Sequence, residues 1–338
     1  MRIGLNPHKD QFIVATDYLH QVVMPVYIPN LEGYFANSLT ILQLSLESLL
    51  KTIHDKTFVT IVNNGSCNEV VAYLNQLKEE NKIHELIHTT NIGKVNAILK
   101  GITGNNIELV TITDADVLFC EDWQLETAKV FQKIPQVGVV GIVPQFCNFK
   151  VNAENVLLAN LLNKRVKFLP VKNREALIRF YDSIGWDRSY NKEYLKYTLG
   201  LEYDVDCKVI IGAGHFVSTY KRTIFDEVNT FVPYKLGGNS EDYIDRLPLL
   251  RDYWRVTTYD NYAYHMGNTP EDWMFDKLKT MHKKGHNDYC CNFLTSKSKN
   301  SKWIVFRNKV FRKLILNKTV LPFLYAKWGL PNESVKEF

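Results

Sequence analysis

Between residues 22 and 143 the chain alternates short apolar runs with segments whose apolar residues recur at helical spacing. That alternation restricts the fold to a sheet built from β-α-β units, mostly parallel and covered by helices on its two faces. The predicted strands are residues 22–28, 58–62, 86–87, 109–113 and 137–143. The helices between them are marked by Leu39, Leu42, Leu46, Leu49 and Leu50, by Val70, Val71, Leu74 and Leu77, and by residues 94–100 and 123–132. Pro25 lacks an amide hydrogen, which predicts an edge position or a strand start. From 144 to 206 the pattern becomes irregular, and a last strand, residues 208–211, runs into Gly212-Ala213-Gly214-His215.

Apolar residues at 46% and charged residues at 23% are globular values, which exclude wholesale disorder. The six cysteines (Cys67, Cys120, Cys147, Cys207, Cys290, Cys291) show no Cys-x-x-Cys spacing, so a zinc site or disulfide framework is not expected and a reducing compartment is. The first twenty residues lack a sustained apolar core of the signal-peptide kind, and no apolar run approaches membrane-spanning length. The expected location is therefore the cytoplasm. The net charge of +5 is unevenly spread: residues 297–330 hold nine cations and no acid, leaving −4 on the rest. That distribution favours a local anionic partner for the tail over a globally basic, nucleic-acid-binding surface.

Chemistry concentrates where the predicted strands end. Thr113-Asp114-Ala115-Asp116 follows the run ending at Ile112. In a parallel sheet ligands collect at the carboxyl ends of strands. Two carboxylates there can chelate one hard cation, Mg²⁺ or Mn²⁺, or divide between a ribose and the metal of a diphosphate. Asn63-Asn64-Gly65-Ser66 closes the second strand at the same edge, and Asn91-Ile92-Gly93-Lys94-Val95-Asn96-Ala97 joins a flexible turn, a cation and a helix start. Farther on, Ser240-Glu241-Asp242 sets adjacent acids at a helix entrance, where they serve as cap and dipole partner or as a base for a hydroxyl. Asp245 lies three residues beyond Asp242 on the same helical side and is a rival base. Tyr264-His265-Met266-Gly267-Asn268 places a histidine beside a glycine.

Taken in order from Pro25 to Asn268, these motifs resemble those of glycosyltransferase family 2, whose members have the GT-A fold. The resemblance implies a Rossmann-like, mostly parallel sheet flanked by helices and followed by a helical C-terminal extension. It divides the chain into an N-terminal extension (1–21), a nucleotide-sugar-binding half (22–120), an acceptor-binding half (121–270) and a basic helical tail (271–338). It implies an inverting, metal-dependent transfer of sugar from a nucleotide-diphosphate donor to a glycan or glycolipid hydroxyl. Asp116 would be the principal metal ligand, Asp114 a ribose or metal-shell contact, and His265 a further metal or diphosphate contact. Asp242 would be the base, with Glu241 touching the acceptor. Tyr27, Pro29, Asn30, Asn64, Asn91, Gly93 and Lys94 would border the nucleotide, expected to be uridine-linked. Asn64 stands where the family has an Asp that reads the uracil imide, and Pro29 replaces an aromatic neighbour of Asn30.

Two other classes remain. Nucleotidyl transfer would call for a Gly-rich, cation-bearing phosphate loop near the first strand, which is missing. A non-catalytic sugar-binding relative would be expected to lack Asp116 or Asp242, and both are present. In the tail, Trp303, Phe306, Val310, Phe311 and Leu314 fall at helical spacing among Lys302, Arg307, Lys309, Arg312 and Lys313. This is the pattern of a helix that meets an anionic membrane surface or one that packs on the domain with a solvated basic face.

Overall fold

The computed structural model describes residues 4–6, 8–13, 16–226, 228, 230–237, 240–282 and 302–338. Cys290, Cys291, Asn239 and the first part of the basic tail lie outside the described residues.

The alternation read from the sequence is present. It comprises β1 (His20–Val26), α1 (Ser38–Thr52), β2 (Thr57–Asn63), α2 (Asn68–Glu79), β3 (Glu85–His88), α3 (Lys94–Ile102) and β4 (Leu109–Thr113). A short strand β5 (Val117–Phe119), helix α4 (Trp123–Lys133) and β6 (Val137–Gly141) follow. Next come α5 (Glu154–Asn160), β7 (Val166–Pro170), α6 (Arg174–Ser183), β8 (Tyr197–Asp204), β9 (Cys207–Ile211) and β10 (Val217–Lys221). The chain continues with α7 (Asp242–Leu250), β11 (Trp254–Thr258), β12 (Ala263–His265) and α8 (Asp272–Thr280), and ends with α9 (Lys302–Leu314), α10 (Leu321–Lys327) and α11 (Asn332–Val335).

Ten strands form one sheet in the order β3-β2-β1-β4-β10-β6-β11-β9-β8-β7. Only β10, β9 and β7 run against the other seven, so the sheet is mostly parallel in direction. Its parallel half is buried on both sides: β1, β2, β4 and β6 are almost wholly inaccessible, which is why they read as continuous apolar runs. Gly101 lets α3 lie directly on this half, since a Cβ there would stand 2.7 Å from Val23 Cγ1 and 2.9 Å from Val62 Cγ2. That close seating aims the first residue of α3, Lys94, at the carboxyl ends of β2 and β4.

Two expectations change. Pro25 is neither at an edge nor at a strand start: β1 lies between β2 and β4. Its pairing with β4 ends at Val23, so the missing amide hydrogen at Pro25 falls beyond the ladder on that side. The irregular stretch after residue 144 also contains regular structure, because β7 and β8 continue the sheet as an antiparallel meander with β9.

The tail packs on the domain. Phe311 is buried against the cluster that contains Phe168, Tyr325 and Trp328, and the Phe168 amide donates to the Trp328 carbonyl at 2.8 Å. Among the described residues no helix is long and apolar enough to cross a membrane.

Candidate active site

The carboxyl ends of β2 and β4 supply two turns and the acid pair. Asn64 is buried and its side chain is committed to the neighbouring turn: Oδ1 accepts from the Ile92 amide at 2.9 Å, and Nδ2 reaches Asn91 Oδ1 at 3.4 Å. Asn91 Oδ1 in turn accepts from the Gly93 amide at 3.1 Å. Gly65 and Gly93 both take positive φ (91° and 89°), and a Cβ on Gly65 would come within 2.9 Å of the Asn91 nitrogen. The two turns therefore pinch together. Tyr27 is exposed, Pro29 is half-buried, and Asn30 faces solvent while its Oδ1 caps the Glu32 amide at 3.1 Å. Asn96, two residues into α3, clamps the segment that precedes α7, donating to the Val232 carbonyl at 2.8 Å and accepting from its amide at 3.0 Å.

From Lys94 an alternating row of charges crosses the site. Lys94 Nζ lies 2.7 Å from Asp114 Oδ1 and 2.6 Å from Glu241 Oε1. Glu241 Oε2 is 3.3 Å from His215 Nε2, and His215 Nδ1 is 3.5 Å from Asp245 Oδ2. Asp245 Oδ1 closes the row on Arg255 Nη2 at 2.8 Å. Burial alone would lower the Lys94 pKa, but Asp114 and Glu241 outweigh it and hold the ammonium above its ordinary value. The hydrogen bond with Asp245 holds His215 above the usual imidazole value, against burial and with help from Glu241. Burial pushes the Asp245 carboxyl up, and His215 and Arg255 together bring it below the usual carboxylate range.

Arg255 is buried in β11, where its second Nη2 bond goes to the Ala213 carbonyl at 2.7 Å and Nη1 donates to the Asp245 carbonyl. The pair locks α7 to the turn before β10, and so fixes where Glu241 and His215 stand. Removing one partner of a buried pair leaves the other uncompensated. Asp245→Asn is therefore expected to cost about 3–5 kcal/mol of stability at neutral pH, read from urea unfolding. The folded pKa of Asp245 is depressed, so its contribution is full above the unfolded carboxyl value and is lost as pH falls through the folded one. The gap between wild type and variant should shrink in acid. Equal unfolding midpoints at neutral pH would remove Asp245 from this structural role.

Asp116 stands apart from the row, with His265. The small antiparallel ribbon β5–β12 sets His265 opposite Val117, and the Met266 amide donates to the Asp116 carbonyl at 2.8 Å. Ser183 Oγ donates to the Phe180 carbonyl at 2.7 Å, so it accepts from His265 Nδ1 at 2.9 Å. This network assigns a hydrogen to Nδ1 and turns Nε2 toward Asp116 Oδ2, 3.4 Å away. Asp116 Oδ1 is buried with no hydrogen-bond partner. Burial pushes the Asp116 carboxyl up, opposed by His265 and reinforced by Asp114. A hard or borderline divalent cation fits this pair, with a hydroxyl behind the imidazole fixing its orientation. Among the described residues no group of three or more His, Cys, Asp or Glu side chains gathers to hold a metal by itself. A cation at Asp116 and His265 would thus keep positions open for a ligand.

Asp242, the first residue of α7, turns away from the row. Its side chain is about half exposed (45%) and makes two long contacts, to Asn152 Nδ2 and Arg246 Nη1, both at 3.4 Å. The structure thus brings Lys94, Asp114 and Glu241 together, pairs Asp116 with His265, and sets Asp242 at the rim.

His215 and Arg255 complete the site beyond the residues that sequence reasoning assigned to it, and Asp245, read there as a rival base, links the two. A signal for Arg255 existed: an arginine inside the apolar strand Trp254–Thr258 requires a buried carboxylate partner. Which carboxylate could not be read without the fold.

Residues 34–198 match Glycosyl transferase family 2. The chain carries a glycosyl transferase family 2 domain. The matched segment runs from the turn after β1 into β8 and includes the Asn64 turn, Lys94, Asp114 and Asp116. Poly-beta-1,6-N-acetyl-D-glucosamine synthases of Staphylococcus aureus (strain COL) and Staphylococcus epidermidis are each 27% identical over 104 residues. That is 31% of this chain and 25% of theirs, so the chain spans about a quarter of the length of these relatives. Among solved structures, residues 1–349 of S. aureus TarS in complex with UDP-GlcNAc share 12% identity, over 92% of this chain and 71% of that one (TM-score 0.44). A mannosyltransferase from Pyrobaculum calidifontis in complex with GDP-Man and Mn²⁺ shares 15%, over 95% of this chain and 76% of that one (TM-score 0.44).

Proposed function

We propose that this chain transfers a sugar, with inversion, from a uridine-diphosphate donor to a hydroxyl of a glycan or glycolipid, using Mn²⁺ or Mg²⁺ held at Asp116 and His265. The observation that carries the metal-dependent reading is the pair formed by the unpartnered Asp116 Oδ1 and the His265 Nε2 that faces the same carboxylate, delivered by one ribbon to the carboxyl end of β4. When bound, the cation supplies Lewis-acid stabilisation of the charge that develops on the diphosphate. Lys94 adds a fixed cation at the same edge, and Asp114, tied to it, would contact the ribose.

Three carboxylates compete for the role of base. Glu241 is engaged by Lys94 and His215, and Asp245 is buried on Arg255. Asp242 is the exposed one, with only long contacts, and therefore has the capacity to take a proton from an arriving hydroxyl. In the proposed reaction its carboxylate removes the acceptor O–H proton as that oxygen bonds to the anomeric carbon. The bond from that carbon to the phosphate oxygen breaks, and its electron pair leaves on the diphosphate. One displacement without a sugar-enzyme intermediate inverts the centre. Glu241, at the head of α7 beside the row of charges, would touch the acceptor. The relatives' name, poly-beta-1,6-N-acetyl-D-glucosamine synthase, supports a glycan-type acceptor.

The uridine preference rests on the two closely set turns and on Tyr27. The pinch between the Gly65 and Asn91 turns suits a single ring, and Tyr27 offers it a face. The direct test is turnover of a panel of nucleotide sugars with Mn²⁺, together with calorimetry of the free diphosphates. UDP should bind at least about tenfold more tightly than GDP, a difference of about 1.4 kcal/mol. Tighter binding of GDP would overturn the preference, and retention of anomeric configuration in the product would overturn the single displacement.

A further inference from the structure

Helix α9 has two apolar faces, and one of them is buried in the fold. Ile304, Asn308 and Phe311 are buried against the domain. Phe306, Val310 and Leu314 lie on a second stripe together with Trp303, at successive steps of three, four and four residues, which stacks them along one side of the helix. They are exposed by 65% (Trp303), 58% (Phe306), 37% (Val310) and 60% (Leu314). The Trp303 and Phe306 rings meet at 5.7 Å, so the stripe begins with a joined aromatic surface. The next helix, α10, exposes Phe323 as well.

The cations of α9 divide in the same manner. Arg307 is drawn to the protein by Asp252 at 2.6 Å, and Arg312 is paired with the buried Glu154. Lys302, Lys309 and Lys313 flank the exposed stripe on its solvent side and are exposed themselves, and no acid occurs from residue 302 to 330. A packing helix that only needed solubility would carry polar residues on its outer face. Here large apolar side chains occupy that face beside unneutralised lysines, which is the composition of a helix lying in a charged lipid interface.

We infer that the outer stripe of α9 (Trp303, Phe306, Val310, Leu314) with Lys302, Lys309 and Lys313 docks the folded domain on the surface of an anionic lipid bilayer. The helix stays packed through Ile304, Asn308 and Phe311 while its opposite side enters the headgroup region. Docking therefore requires no unfolding of the tail. Charge complementarity selects the bilayer over a second copy of the chain, because two such faces would bring like charges together. Attachment through a few side chains and three lysines is reversible and weakens with salt. The inference rests on this surface alone and stands or falls separately from the proposed chemistry.

Co-sedimentation of the full chain, without donor or metal, tests it with two kinds of vesicle: phosphatidylcholine alone, and phosphatidylcholine mixed with phosphatidylglycerol. The full chain should partition onto the mixed vesicles at least about tenfold more strongly than onto the neutral ones. Both the double variant Phe306→Ser/Leu314→Ser and the double variant Lys309→Glu/Lys313→Glu should lose about tenfold or more of that binding. All four side chains are exposed, so unfolding midpoints should match wild type. Equal partition onto both vesicles, or full binding by either variant, would overturn the inference. So would concentration-dependent self-association in ultracentrifugation that Phe306→Ser/Leu314→Ser abolishes and vesicles do not affect, which would assign the stripe to a second copy.

Discussion

Replacing Asp242 by Asn is expected to lower sugar transfer roughly 10²–10⁴-fold while donor affinity stays within a few-fold of wild type. The expectation follows from what each neighbouring carboxylate already does. A base must reach the acceptor hydroxyl and must not be neutralised beforehand, and the half-exposed Asp242 meets both conditions. Asn is nearly isosteric and its one oxygen can still accept from Asn152 or from Arg246, both of them long contacts, so the loss reports proton transfer and not a displaced helix. Glu241→Gln should behave differently. It removes the anion between Lys94 and His215, so acceptor KM should change together with kcat. Asp245→Asn should be read first as a stability variant. If a folded Asp245→Asn enzyme loses more turnover than Asp242→Asn does, the base is Asp245 and the present order of roles falls.

Much of the frame was legible because the parallel half of the sheet is buried on both faces. Strand β4, residues 109–113, was read to the residue, since its five consecutive buried positions hold only aliphatic or β-branched side chains. Helix α3 was read from Lys94 because the left-handed Gly93 before it sets the boundary. The stretch from 144 to 206 was not legible. There β7 has only five positions, with two exposed among three buried in no regular alternation, and ends at Pro170, while β8 includes Gly200 and Glu202. Such strands exist because β9 provides a partner, which periodicity cannot show. The same reason separates the readable from the unreadable part of the site. Asp114 and Asp116 belong to one strand end, so spacing reveals them. The row from Glu241 through His215 and Asp245 to Arg255 is assembled by contacts between β10, α7 and β11, and no local pattern announces it. In the tail, spacing placed Phe311 on the same apolar face as Trp303 and Phe306. The fold separates them, turning Phe311 inward with Ile304.

Asp116→Asn is expected to abolish the dependence of donor binding on divalent cation and to reduce turnover roughly 10²–10⁴-fold, as several kcal/mol of transition-state charge stabilisation are removed. The change keeps the size of the side chain and takes away its charge, so the Asp116 carbonyl that receives the Met266 amide is untouched and the ribbon to His265 should remain. Two variants separate a metal role from a purely local one. His265→Ala removes the imidazole without altering the carboxylate, and should weaken Mn²⁺-dependent UDP binding while leaving metal-free binding unchanged. Ser183→Ala removes only the acceptor that fixes the Nδ1 hydrogen, and should lower metal affinity about 10–100-fold, the cost typical of losing such an orienting partner. Calorimetric titration of UDP with and without Mn²⁺ reads all three. A wild-type enzyme that turns over donor at full rate in excess EDTA, with metal absence verified, would eliminate the cation from the reaction. Asp116 and His265 would then have to meet through a shared proton, and Asp116→Asn should in that case leave turnover nearly unchanged.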